Sequence, residues 1–323
     1  MADILITGAT GFVGSHLIEA LGRRGIAARA LVRETSDTSL LDRFGIVRVV
    51  GDLGDAATVR RAVDGAATVV HMAAATRALS PEAFHRVNAD GTQRLVEAMR
   101  EAGGRPRLVY LSSLAAAGPA REAPVGPADP PRPITAYGRS KLAGERACLA
   151  EPAIESAVLR PPAVYGPGDR DLLTFFRLAD RGVLPVVGRT GRRLQMVHAR
   201  DLAEAIVQAI RTPTATGVFH IAEPVAYPWT RLLELVAEAV GVDGVRIRVP
   251  GLLVRAAATV SELTGRVVRK PVIFDRDKAK EILAAGWLCE TDRARQELGF
   301  EAMIPLPTGL RETASWYRTY GWL

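Results

Sequence analysis

The sequence predicts an α/β fold: a doubly wound parallel sheet with a smaller, mostly helical C-terminal part. Three observations predict it. Short apolar runs of strand length recur through the first 111 residues, with helical patterns between them. A glycine-rich turn, Gly8-Ala9-Thr10-Gly11-Phe12-Val13-Gly14, joins the first run to the first helical pattern. Beyond Ile221 the apolar spacing becomes helical.

The first run is Ile4 to Ile6. It breaks at Thr7-Gly8, and a helix is expected after Gly14, with Leu17, Ile18 and Leu21 on one face. Strand, glycine turn and helix in that order suit the phosphates of a dinucleotide. Gly8 permits the tight turn, Gly11 lets backbone approach the pyrophosphate, and Gly14 lets the helix pack close to the strand. The N–H groups around Thr10, Phe12 and Val13, at the positive end of the helix, would face the phosphates.

Ala27 to Val32 reads as the second strand, followed by Arg33-Glu34-Thr35-Ser36. An acidic residue at this place bonds the 2′-hydroxyl of NAD, whereas an arginine accommodates the 2′-phosphate of NADP. Arg33 with Ser36 therefore favours NADP, with NAD left open by Glu34. Ile46 to Val50 is the third strand, ending at Gly51-Asp52-Leu53, where Asp52 suits an adenine amino group or the cap of the next helix. Thr68 to Met72 is the fourth, opening into Ala73 and Ala74, small enough for a cofactor to lie on the backbone. His71 reads as a hydrogen-bonded strand residue. Glu82 to Glu101 reads as one long helix containing Asn88, and Arg107 to Leu111 as the fifth strand.

Ser112-Ser113 ends that fifth strand, where open α/β sheets place their ligands. A proline- and glycine-rich loop follows, from Gly118 to Pro133. The next helix runs from Tyr137 to about Ala150 and carries Tyr137 and Lys141 on one face, four residues apart. A phenol has a pKa of about 10 and is a poor acid or base at neutral pH. A neighbouring ammonium and an oxidised nicotinamide favour the phenolate. With Ser113 holding a substrate oxygen, the set suits hydride transfer between a nicotinamide and a carbinol carbon.

Composition bounds the rest. The 323 residues are 48% hydrophobic and 24% charged, with no uncharged apolar run long enough to span a bilayer, so no stable membrane insertion is expected. Cys148 and Cys289 lie far apart without metal-ligand spacing. Free thiols, no metal and a cytoplasmic location are the expectations, with no export signal before the first strand. The net charge of +7 is arginine-rich, the lysines being Lys141, Lys270, Lys278 and Lys280. The arginines are scattered without an aromatic-interleaved basic tract, so nucleic acid is not an expected partner.

Together these motifs resemble the extended short-chain dehydrogenase/reductases, the NAD(P)-dependent epimerase/dehydratase superfamily. The resemblance also takes in Arg160 to Asp169 (RPPAVYGPGD) and Val197 to Leu202 (VHARDL), and so covers nearly the whole chain. It implies a Rossmann-type sheet, a catalytic set of Ser113, Tyr137 and Lys141, and nicotinamide contacts from Pro161, Ala163 and Val164. Ser113 is preferred to Ser112 for its distance from Gly118, where Ala117 replaces the family's tyrosine. The implied domains are 1–165 plus 196–222 for the dinucleotide, and 166–195 plus 223–323 for the substrate. A homodimer through the helices of 82–101 and 137–150 is implied as well.

Within that family, nucleotide-sugar epimerases usually carry an arginine where this chain has Leu194-Gln195-Met196, and leucine cannot grip a diphosphate. Arg192 and Arg193 are the nearby substitutes. The run Leu159 to Asp169, with Arg33 and the ending Trp316-Tyr317 and Gly321-Trp322-Leu323, looks more like the branch of dihydroflavonol reductases, 3β-hydroxysteroid dehydrogenases and bacterial ketoreductases. The expected activity is thus NADP-dependent interconversion of a carbonyl and a secondary alcohol in a fairly hydrophobic small molecule. The alternatives are an NAD-dependent nucleotide-sugar epimerase or dehydratase, and a non-catalytic NADP-binding protein. In the C-terminal part Trp229 to Val240, Leu252 to Leu263 and Pro307 to Tyr317 read as amphipathic helices. Leu252 to Leu263 is expected to be packed in the core, ahead of a substrate wall, a dimer face or a membrane-surface helix.

Overall fold

The computed structural model describes residues 3–188 and 191–323; Met1, Ala2, Arg189 and Thr190, which fall in the two expected domains, lie outside the described residues. The chain opens with β1 (Ile4–Thr7), α1 (Phe12–Arg23), β2 (Arg29–Val32), α2 (Ser39–Arg43), β3 (Val47–Val50) and α3 (Ala56–Val63). It continues through β4 (Thr68–His71), α4 (Pro81–His85), a π-turn (Arg86–Asp90), α5 (Gly91–Ala102) and β5 (Arg107–Leu111). Next come α6 (Leu114–Ala117), α7 (Ala136–Leu149), β6 (Glu155–Arg160), β7 (Ala163–Tyr165), α8 (Leu173–Asp180), β8 (Val183–Val187), β9 (Arg193–Leu194) and β10 (Met196–His198). The last third holds α9 (Ala199–Arg211), β11 (Gly217–His220), β12 (Tyr227–Pro228), α10 (Trp229–Val240), β13 (Val245–Val249), α11 (Gly251–Val267), α12 (Arg276–Leu283), β14 (Gly286–Trp287), α13 (Asp292–Leu298) and α14 (Leu306–Thr319).

Seven strands pair in parallel in the order β11-β6-β5-β4-β1-β2-β3. The inner strands are covered on both faces, which is why β1, β2, β4 and β5 read as largely apolar runs. In β1, Ile4 and Ile6 pack with α1 and α9 on one face, while Leu5 packs with Val59 of α3 and Leu95 of α5 on the other. The chain winds from β1 out to β3, then restarts at β4 on the other side of β1. That reversal opens a crevice at the carboxyl ends of β1 and β4. A separate core gathers Phe176, Trp229, Leu233, Leu306 and Tyr317 from the C-terminal helices and α8.

The structure departs from the sequence reading in five places. Helix α1 starts at Phe12, not after Gly14, because Gly11 already occupies its cap. The expected single helix over 82–101 is interrupted by the π-turn. That extra residue turns Asn88 inward, where it accepts from Ala75 N at 2.7 Å and donates to Ala75 O and Ser140 Oγ. Strand β6 was not read as a strand, yet it fills the place between β5 and β11. The C-terminal part is mostly helical, as expected, but also holds two small sheets that were not read, β13 pairing in parallel with β8 and β9 joining β12 and β14. Helix α11 is not a packed core helix. Only Val254, Ala258 and Gly265 are buried, while Leu252 is 77% and Val260 64% exposed. Among the described residues no helix is long and apolar enough to cross a membrane.

Candidate active site

The residues singled out in the sequence fall on one edge of the sheet. Gly8 to Val13 follow β1, Arg33 and Ser36 follow β2, Asp52 and Leu53 follow β3, and Met72, Ala73 and Ala74 follow β4. Ser113 follows β5, Pro161 follows β6, and Ala163 and Val164 lie in β7. At Gly8 the backbone has φ 76°, and a Cβ would come 2.6 Å from Ala73 N. At Gly14 a Cβ would collide with Gly8 O and lie 2.6 Å from Ala9 O, so α1 sits hard against the turn. The N-terminus of α1 receives no side-chain cap, unlike α3, where Asp55 accepts from Ala57 N and Thr58 N. An uncapped helix end facing a crevice is an anion site, so the turn fits a dinucleotide pyrophosphate. Asp52 is not the cap of α3; its Oδ1 accepts from Gly54 N at 2.7 Å, and the exposed carboxylate stays at the crevice rim. Arg33 is exposed, its carbonyl accepting from Ser36 N at 3.0 Å.

Two caps set the tyrosine and the serine. Thr135 Oγ1 accepts from Gly138 N at 3.0 Å and starts α7, which places Tyr137 in the first turn and Lys141 one turn on. Ser113 Oγ accepts from Ala115 N at 3.1 Å and starts α6. Burial pushes the Tyr137 phenol above its ordinary value; Glu281 and Asp171 add to that, and Ser113, in hydrogen-bonding reach, opposes it. Burial lowers Lys141 to about 8, against an opposing pull from Glu145. Its Nζ donates to Leu111 O at 2.7 Å and lies 4.2 Å over the Tyr110 ring. The expected pull of Lys141 toward the phenolate is not met in the protein alone: burial dominates, and the ammonium is engaged by Leu111 O and the Tyr110 ring.

Sequence reasoning missed the support beneath this set. Glu145, one further turn along α7, forms a buried two-pronged ion pair with Arg160, at 2.8 Å from Nε and 2.6 Å from Nη2. Ser112 donates to the same carboxylate. Ser112 is thereby tied down under the sheet edge while Ser113 faces the crevice. The signal was present: Tyr137, Lys141 and Glu145 recur every four residues on one helix face. Phe84 packs edge-on to Tyr137 with ring centres 6.0 Å apart, and Asp277 of α12 accepts from Ala136 N at 2.6 Å. Neither neighbour is visible in sequence spacing. His71 bonds Thr7 of β1 and Thr92 of α5, a hydrogen-bonded strand residue as read. Among the described residues there is no cluster of possible metal ligands.

The chain is similar to known proteins along its full length. Residues 4–222 match the model of the NAD dependent epimerase/dehydratase family. A ceramide reductase of Caulobacter vibrioides is 35% identical, covering 99% of this chain and 96% of its own. A Stigmatella aurantiaca enzyme, "4-hydroxy-2-methyl-3-oxo-4-farnesyl-3,4-dihydroquinoline-1-oxide ketoreductase", is 28% identical over 94% of this chain and 93% of its own. Among solved structures, MoeE5 in complex with UDP-glucose and NAD superposes with a TM-score of 0.76 at 26% identity, covering 99% of each chain. The chain belongs to the NAD dependent epimerase/dehydratase family and is an NAD(P)-dependent oxidoreductase of the short-chain dehydrogenase/reductase type.

Proposed function

We propose that this protein is an NADP-dependent reductase that converts a ketone on a fairly hydrophobic small molecule to a secondary alcohol, with Tyr137 as the proton donor. The observation that carries the reading is the phenol itself. It stands at the sheet's carboxyl edge beside Ser113 with Lys141 one turn further along α7, and a phenol is protonated at neutral pH. A protonated phenol is the form a reduction needs.

NADPH, when bound along the Gly8–Gly14 turn, supplies the hydride. Ser113 donates a hydrogen bond to the carbonyl oxygen and aims it at Tyr137. As negative charge grows on that oxygen, Tyr137 Oη gives up its proton, and the carbonyl becomes an alcohol. Lys141, one turn away, stabilises the phenolate left behind. The Glu145–Arg160 pair fixes the rotation of α7 that presents both groups. Arg33, exposed after β2, supports NADP as the cofactor.

The substrate class rests on two supports. The names of both reductase relatives concern molecules with long hydrocarbon parts, ceramide and a farnesyl compound. Among the described residues, the three positions considered for a diphosphate clamp are otherwise engaged. Leu194 is buried in the C-terminal core, Arg192 is buried over the Trp229 ring at 4.3 Å, and Arg193 donates to Ala226 O. That arrangement favours a reductase over the nucleotide-sugar alternative. We also propose the homodimer expected through α5 and α7, with the domain division given by the sequence.

The test follows NADPH absorbance against a panel of apolar ketones. Tyr137→Phe is expected to lose turnover by about 10²–10⁴-fold while keeping NADPH affinity. Turnover equal to the parent enzyme would falsify the role of Tyr137. Protection of the protein by UDP- or dTDP-sugars, with tightly held NAD, would favour the epimerase reading instead.

A further inference from the structure

Helix α11 presents an apolar face with no protein against it. Leu252, Leu253, Val260, Leu263 and Val267 are all at least half exposed, with Ala256 and Ala257 between them. At 3.6 residues per turn they lie within one arc of about 140°. Arg255 and Arg266 line one border of that arc, and Arg269 and Lys270 follow the helix end, all exposed. The acid of this segment, Glu262, is already taken by Arg266 at 2.6 Å and Arg276 at 3.2 Å. The face is therefore greasy with a positive border. A single apolar arc beside cations is the pattern of a helix lying in a lipid interface. Its 17 residues, about 26 Å at 1.5 Å each, are too short to span a bilayer of about 30 Å.

A cavity of about 240 Å³ adjoins this helix. Glu262, Gly265 and Arg266 of α11 and the segment Lys270–Val272 form one wall. Phe84 and Ala136, the ring neighbour and chain neighbour of Tyr137, form the other. The helix that offers the apolar face thus also walls a cavity that reaches two neighbours of Tyr137.

We propose that α11 docks the protein on an anionic membrane surface, and that the adjoining cavity takes an amphiphilic ketone directly from the lipid. The second half of this statement rests on the reductase reading; the docking does not. Charge argues for lipid over a second copy of the chain. Two copies meeting on this face would bring like-charged borders together, whereas anionic headgroups match them.

The experiment is vesicle flotation with the full chain, using phosphatidylcholine vesicles with and without phosphatidylglycerol. The protein is expected to float only with the anionic vesicles. Arg255→Gln with Arg269→Gln is expected to weaken binding by roughly fivefold for each cation removed. Val260→Glu is expected to abolish flotation while turning over a water-soluble ketone as the parent does. No flotation by the parent chain overturns the proposal, and so does flotation of Val260→Glu equal to the parent. Concentration-dependent dimerisation lost in Val260→Glu, without flotation, makes a second copy the occupant and overturns it too. Intact flotation without NADPH turnover on any ketone leaves the docking standing and removes the reductase reading.

Discussion

Strand β1 and helix α11 are written in the same apolar alphabet and meet opposite fates. Ile4 to Ile6 disappears between two layers of helices, whereas α11 rests on Val187, Ala279 and Leu283 along one narrow side and leaves the rest to solvent. The difference lies in the neighbours. A central strand of a doubly wound sheet is covered on both faces by the crossover helices that the topology supplies. A helix appended after the sheet is complete has only what the C-terminal part offers. Hydrophobicity along the chain states that a face wants cover; it does not state what covers it.

The comparison predicts that damage near the sheet is severe and damage on α11 is slight. The largest effect is expected at Glu145→Gln. It removes the charge that balances Arg160 in a dry site and sets an amide N–H2 where one of the carboxylate oxygens accepted from Arg160. Breaking a buried pair from one side costs about 3–5 kcal/mol. Chemical denaturation should show a loss of that order, with NADPH turnover falling as α7 loses its anchor. A loss below about 1 kcal/mol, the scale of an exposed pair, would show that the support beneath Tyr137 is not what holds this half together.

Much of the sheet half was legible and little of the C-terminal half was. The strands β1, β2, β4 and β5 announce themselves because two-sided burial leaves little room for polar residues, the exposed edge strand β3 by its valines, and the glycine turn because a Cβ at Gly8 or Gly14 meets backbone. The crevice follows from strand order alone. What stayed hidden needs three dimensions. The π-turn around Asn88 leaves the apolar spacing of 82–101 almost unchanged. Strand β6 was obscured by the polar Glu155, Ser156 and Arg160 at its ends, two of which are buried by specific partners. Strands β8 and β13 pair across more than fifty residues, beyond any local signal. Phe84 and Asp277 reach Tyr137 from distant segments. The exposure of α11 depends on neighbours that are not there.

Acid should destabilise the sheet half and the seam between the two halves. Burial lowers His71 to about 3, His198 to about 3, with Arg200 assisting, and His220 to about 4, with Arg160 assisting. All three folded values lie below the ordinary 6.5, so the unfolded chain binds more protons as pH falls. Their contribution is complete above about pH 6.5 and is lost progressively below it, by about 1.4 kcal/mol each at pH 5.5. His71 is held inside the sheet half by Thr7 and Thr92. His198 lies at the seam, edge-on to Tyr165 at 5.2 Å and beneath Gly309 of α14. Melting temperature measured from pH 8 to pH 5 should fall below 6.5, by less than three histidines alone would give, because burial raises the Asp169 carboxyl to about 7 and its protonation favours the folded state. His198→Gln should flatten part of that slope, and an unchanged slope would place the sensitivity away from the seam.

The smallest effect is expected on α11. Val260→Glu exchanges an exposed β-branched residue for a better helix former and creates neither a cavity nor an unpaired buried charge. Its stability in the absence of lipid should stay within about 0.5 kcal/mol of the parent, as for other surface positions. The contrast with Glu145→Gln is what separates the two regions. A loss of several kcal/mol from Val260→Glu in dilute, lipid-free solution would mean that this face is buried there after all. The apolar arc would then belong to a core or a subunit contact, and its likeness to β1 would extend from composition to fate.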